Sequence, residues 1–189
     1  MSSTAQDLIR RHRYTVDDYY RMAEVGILAP DARVELIDGE VVEMPPIGAP
    51  HASVVTELQN LLIEAVGRRA VVRVQNPVRL DRHNEPEPDI ALVRSSARKY
   101  RDTHPSPQDV LLLVEVADSS LRFDRDVKVG LYARCGIPEV WLLDLTSTRI
   151  TRFRGPSDAG YRESEVLGDL AAVPVPRLEP IRLDLSRLL

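Results

Sequence analysis

The run Val110-Leu111-Leu112-Leu113-Val114-Glu115-Val116-Ala117 constrains the fold of this chain more than any other segment. A run so apolar and so short reads as a β-strand buried on both faces, the pattern of an interior strand in a sheet covered by helices. Glu115 breaks the pattern. An ionised carboxylate in such a place is costly unless a cation, a metal or several hydrogen-bond donors compensate it. A second acid, Asp89, follows Pro88 and opens another apolar strand through Val93. Two strands that each place one carboxylate among aliphatic side chains suggest a shared metal site.

The surrounding elements define an α/β chain. Thr15 and Asp18 form a capping-box pattern that opens a short helix through about Val25. Arg33 to Met44 reads as a hairpin, because Asp38-Gly39 is a two-residue turn signal between alternating apolar residues. Gly48 to Pro50 read as a loop. From His51 to about Val66 the residues Val54, Val55, Leu58, Leu61, Leu62 and Ala65 form one helical stripe, closed by Gly67.

Val71–Val74 and Pro77–Leu80 read as one interrupted strand or two short ones. A helix is expected from Asp124 to about Cys135, stopped by Gly136 and Pro138, and Glu139–Asp144 is a further buried strand. Arg149–Arg154, Tyr161–Leu167 and Ile181–Leu185 read as edge or peripheral strands. The order implies a mixed sheet with one crossover helix between the strands of the 110s and the 140s. Residues 1–13 read as a flexible arm and 14–189 as one domain.

Strand parity brings the two acids together. Asp89, Ala91 and Val93 share one face of their strand, and Leu113, Glu115 and Ala117 share one face of theirs. If the strands are neighbours, both carboxylates converge on one divalent ion. Carboxylate oxygens with retained waters suit Mg²⁺ or Mn²⁺ better than zinc. Asp124, Lys128 and Tyr132 follow at four-residue intervals on the next helix, so a helix packed across the sheet could bring Lys128 to the carboxylates.

Net charge is -4, which offers no whole-chain attraction for nucleic acid and requires a local basic patch for any such binding. Arg94, Arg98, Lys99 and Arg101, just after the Asp89 strand, are the candidates for phosphate contact. A single cysteine, Cys135, rules out an internal disulfide and reads as a small packed residue. His12, His83 and His104 form no ligand spacing. The polar N-terminus lacks a signal-peptide core, and no apolar stretch approaches membrane length, so a cytoplasmic protein that does not meet a membrane is expected.

An ordered set of motifs resembles the Uma2 family. They are Arg33-Val-Glu-Leu-Ile-Asp-Gly-Glu40 with Pro45-Pro46, then His51, Glu87-Pro88-Asp89, and Val114-Glu115-Val116-Ala117-Asp118-Ser119-Ser120. Asp126-Val127-Lys128 with Tyr132 follows, and then Gly136-Ile137-Pro138-Glu139-Val140-Trp141. The resemblance runs from about residue 14 to about residue 150. It implies an endonuclease of the restriction-endonuclease-like fold, within the PD-(D/E)xK superfamily. Asp89 then matches the Pro-Asp aspartate and Glu115 the (D/E) position. The superfamily's lysine position, two residues beyond Glu115, holds Ala117, and the resemblance implies that Lys128 takes over that role. Glu35 and His51 fall in family motifs and are expected to support the site.

The expected function is Mg²⁺- or Mn²⁺-dependent hydrolysis of phosphodiester bonds in nucleic acid, DNA before RNA, by a homodimer. Asp89 and Glu115 would hold the metal, and Lys128, Glu35 and His51 complete the catalytic set. Two other readings stay open. One is a catalytically silent nucleic-acid-binding or assembly module on the same fold, and the other is a metal-dependent hydrolase of a different substrate.

Overall fold

A computed structural model describes residues 11–98, 100–118 and 120–188. Most of the expected N-terminal arm, together with Lys99, lies outside the described residues. A six-stranded sheet carries the fold, in the spatial order β3 (Ala70–Val74), β4 (Ile90–Arg94), β5 (Val110–Ala117), β6 (Glu139–Asp144), β7 (Arg149–Ser157) and β8 (Gly160–Val166). Every pairing is antiparallel except β5 with β6, which is parallel. A parallel pair needs a crossover, and a helical one joins these two strands. The expected mixed sheet flanked by helices is the one observed.

β5 is buried along its whole length, as its composition requires, and it lies between β4 and β6. Alternate side chains feed two apolar layers. Leu112, Val114 and Val116 pack toward α2 (Ala49–Val66), whose buried stripe is Val55, Leu58, Leu62 and Val66. Leu113 faces the opposite layer, joined across a register shift at the strand's start by Val110, with Val129, Leu131, Tyr132 and Ile137 of the crossover. Trp141 is fully buried in the first layer, and its indole N–H donates to Glu139 at 2.7 Å.

Local signals place the N-terminal elements. Thr15 and Asp18 close a reciprocal capping box at the start of α1 (Val16–Glu24). The hairpin of β1 (Val34–Ile37) and β2 (Glu40–Glu43) turns through Asp38 at φ 49° and Gly39 at φ 74°, the two left-handed positions of a type I′ turn. A side chain at position 39 would meet Arg13 Cβ at 2.6 Å, so the turn needs glycine twice over.

Several boundaries differ from the sequence reading. α2 begins at Ala49, with Gly48 as its N-cap and Pro50 inside the first turn, where a missing N–H costs nothing. Pro77–Leu80 forms no strand; Val78 and Leu80 are buried, and their amides donate to Pro86 and Asn84 carbonyls in an irregular loop. The crossover starts at Leu121 and runs as α3 (Leu121–Phe123), a π turn (Asp124–Lys128) and α4 (Val129–Arg134). Ile181–Leu185 shrinks to β10 (Arg182–Leu183), paired with β9 (Val173–Pro174). β4 begins one residue after Asp89, which leaves that acid at the strand's mouth.

Among the described residues, no helix is long and apolar enough to cross a membrane.

Candidate active site

Register places the two acids side by side. β4 pairs with β5 through Ile90 opposite Val114 and Ala91 opposite Leu113, so Asp89 falls at the level of Glu115 on the adjacent strand. Asp89 is held on three sides. Its Oδ2 accepts the Val116 amide at 2.8 Å, and its Oδ1 faces His51 Nε2 at 3.0 Å and accepts from Gln75 Nε2 at 3.2 Å. Gln75 follows β3 in the left-handed region, at φ 49°, and its amide donates to the Asp89 carbonyl. Strained backbone of this kind persists where the surroundings over-determine it, commonly at functional sites.

Glu115 is 2% exposed and does not stand alone. Lys128 Nζ lies 3.3 Å from its Oε1, and the Tyr132 hydroxyl donates to the same oxygen. Lys128 is itself 1% exposed and reaches a third element, with Nζ 3.0 Å from the Glu35 carboxylate on β1. Only Oε1 of Glu35 receives a hydrogen bond of good geometry; Oε2 is buried without one among the described residues. Asp124 is 3% exposed and accepts from the Ser120 hydroxyl. The buried residues of the π turn are its two site groups, Asp124 and Lys128. Single π turns inside helices recur at functional sites.

Five acids, Glu35, Glu87, Asp89, Glu115 and Asp124, line one cavity of about 50 Å³ together with Lys128, Arg33 and Gln75. That volume has room for an ion and a few waters, not for a nucleotide. The electrostatics follow from the crowding. Burial pushes the Glu115 carboxyl well above the usual range, and it raises Glu35, Asp124 and Glu87 as well. Lys128 opposes those shifts. Burial disfavours its ammonium, but Glu115, Glu35 and Asp124 outweigh that and hold it protonated. A hydrogen bond to Asp89 raises the His51 pKa in the same way. Crowding and burial disfavour the ionised carboxylates, and a bound cation would favour them.

The donor set therefore fits a hard divalent ion: carboxylate oxygens around a small polar cavity. Among the described residues no three His, Cys, Asp or Glu side chains already surround one point as a closed cage. A two-carboxylate site whose other ligands are waters is the usual arrangement for Mg²⁺.

The structure brings together Asp89, Glu115, Lys128, Glu35 and His51, the five residues singled out from sequence. Glu115 pairs with Lys128. Lys128 reaches past its helical neighbour Asp124 to two other strands. The basic cluster behaves differently. Arg94 closes β4 at the end opposite Asp89, five residues or roughly 17 Å along the strand, and donates to the Gln108 carbonyl. Arg98 pairs with Asp102 at 2.9 Å, and Arg101 lines a separate cavity. Proximity in sequence to the strand's last residue did not amount to proximity to the acid before its first.

Sequence reasoning missed Asp124, Glu87, Gln75 and Arg33 as members of the site. Asp124 had a signal, one helical turn before Lys128 on the same face. Glu87 stands two residues before Asp89. Gln75 had none, because its place depends on the turn after β3.

Among solved structures, the chain is similar to one described as a putative nuclease belonging to DUF820, from Anabaena variabilis. The two share 18% identity and superpose with a TM-score of 0.70, over 92% of this chain and 96% of that one. At that identity the likeness speaks for the fold, which is restriction-endonuclease-like. Comparison with curated proteins finds no match. The family model described as "Putative restriction endonuclease" matches residues 16–186, so the chain belongs to the Uma2 family.

Proposed function

We propose that this chain is a divalent-metal-dependent nuclease that hydrolyses phosphodiester bonds of nucleic acid, with DNA as the first substrate to test. One observation carries the reading above the others: Lys128 arrives from the crossover helix, buried between Glu115 and Glu35, where Ala117 leaves the strand without a lysine. The site thereby combines two neighbouring carboxylates and an ammonium in one small cavity. The family description and the likeness to the Anabaena structure support the same activity.

Asp89 and Glu115 would hold Mg²⁺ or Mn²⁺ through carboxylate oxygens. A divalent ion so held supplies an acidified water and offsets charge on the phosphate. The protein's own groups do the rest. Lys128, kept protonated by its acids, presents a positive charge beside the reacting phosphate and orients a water by donating to it. Tyr132 fixes Glu115, while His51, Gln75 and the Val116 amide fix Asp89, so neither carboxylate has to reorganise.

Nicking of supercoiled plasmid in Mg²⁺ or Mn²⁺, with chelated controls, tests the assignment. Wild type should cut, and Asp89→Ala and Glu115→Ala should not while keeping the wild-type circular dichroism spectrum. Equal cutting by both variants would sink the assignment. A silent binding module on the same fold is favoured by one observation, the commitment of Lys128 to two buried carboxylates. Calorimetric titration of Mn²⁺ separates the readings, since a silent module has no need to bind metal at Asp89.

A further inference from the structure

A second cavity lies apart from the acids, against the loop that packs on Arg73. It encloses about 350 Å³ and is lined by Tyr20 of α1, Arg79, and the loop from Tyr100 to His104. That volume is at the small end of ligand sites, which run from roughly 300 to 1,000 Å³. Its position follows from register. Arg73 lies under the loop and pairs with Ala91, and Ala91 shares a face with Asp89. Two residues along β4 and one strand across put the Arg73 backbone roughly 8 Å from that of Asp89, and the Arg73 side chain spans from there to the loop.

The chemistry is aromatic and cationic. The Arg79 guanidinium lies 5.6 Å from the centre of the Tyr20 ring, and the Arg73 guanidinium 6.0 Å from that of Tyr100. The acids nearby are already committed: Glu85 to Arg79 at 2.7 Å, and Asp102 to Arg98 at 2.9 Å. His104 Nδ1 sits 3.4 Å from an Arg73 nitrogen, and burial lowers the His104 pKa, so the neutral ring carries its proton on Nε2. Tyr100 is held at φ 60°, a costly conformation for a tyrosine, with its hydroxyl tied to the Arg94 carbonyl. Two tyrosine rings, the guanidiniums of Arg79 and Arg101 and the His104 N–H surround a space of this size, with Arg73 behind the Tyr100 ring.

We infer that this cavity takes one unstacked nucleobase of a single-stranded stretch of the substrate. The inference rests on the nuclease reading above and adds a preference for single-stranded or locally opened substrate. Aromatic faces and guanidinium planes recognise bases only when those bases have left the stack. Arg101, exposed on the cavity wall, then meets a flanking phosphate.

The test uses the full chain in Mg²⁺ with oligonucleotides made cleavage-resistant by phosphorothioate linkages, carrying 2-aminopurine at successive positions. Wild type should bind single strands more tightly than duplex of the same sequence and alter the fluorescence at one position. Tyr100→Leu and Tyr20→Ala should each weaken single-strand binding roughly 5- to 150-fold, the worth of one base–aromatic stack. Tyr100→Phe keeps the ring and loses the tie to Arg94, so it should retain the fluorescence change. Wild-type affinity in Tyr100→Leu, equal affinity for duplex and single strand, or no single-strand binding at all overturns the inference. So does a free mononucleotide that binds as tightly as the oligonucleotide. The two readings fail separately. Cleavage that needs Asp89 but ignores Tyr100 removes the base pocket alone, whereas base stacking without metal-dependent cleavage removes the nuclease alone.

Discussion

Lys128 Nζ lies 3.0 Å from the carboxylate of Glu35, a residue 93 positions earlier in the chain. The contact ties the crossover helix to the N-terminal hairpin, and Glu115 lies on the other side of the same ammonium. A single side chain therefore closes the site from outside the strand that the superfamily pattern would use.

Lys128→Met should abolish metal-dependent cleavage and destabilise the protein by about 3–5 kcal/mol, the usual cost of breaking one half of a buried ion pair. The loss should be smaller in acid. Burial raises the Glu35 and Glu115 pKa values above their unfolded values, so the protonated carboxyls favour folding below the unfolded pKa. That contribution disappears as pH rises through the folded values. Urea unfolding at pH 5 and pH 8 should find the variant's deficit greater at pH 8.

Tyr132→Phe removes the hydroxyl that donates to Glu115 and leaves the ring in the core. The expected cost is about 1.5–3 kcal/mol, the worth of a hydrogen bond to a charged group. Activity should fall through weaker metal binding, visible as a higher Mg²⁺ concentration for half-maximal cleavage. An unchanged Mg²⁺ requirement would show that Tyr132 serves packing alone.

Mn²⁺ should raise the melting temperature of wild type, because a ligand bound only by the folded state stabilises it by about 2.7 kcal/mol at one hundred times its Kd. Asp89→Asn and Glu115→Gln should lose most of that rise in thermal scans. The same shift in all three proteins would place the metal elsewhere.

Glu139 offers a pH test away from the site. Burial raises its pKa while the Trp141 N–H donates to it, so its contribution favours folding below the unfolded pKa and is lost as pH rises through the folded one. Glu139→Gln keeps an acceptor for Trp141 without the charge. The variant should gain stability over wild type at pH 7 relative to pH 4, and a pH-independent difference would contradict this account.

Legibility followed the range of each signal. The hairpin turn at Asp38-Gly39, the capping box at Thr15 and the stripe of α2 depend on neighbours within a few residues, and the structure holds all three. The π turn at Asp124–Lys128 was not legible, because its extra residue depends on burying Asp124 and Lys128 together against the sheet. The loop carrying Arg98 and Arg101 was misplaced because its path depends on contacts with β3, through Arg73 and His104, that the local sequence does not encode.

By itself the sequence determined the buried strand Val110–Ala117, the acids at Asp89 and Glu115, and the crossover that brings a lysine-bearing helix over the sheet. Those follow from the periods of strand and helix and from the cost of burying charge, which act residue by residue. Only the tertiary structure decided which groups answer Glu115: Lys128 and Tyr132 from the helix, with Glu35 from the hairpin beyond them. The physical reason is that a buried charge is compensated by whatever donors packing brings within about 3 Å, and packing joins residues that the chain holds far apart.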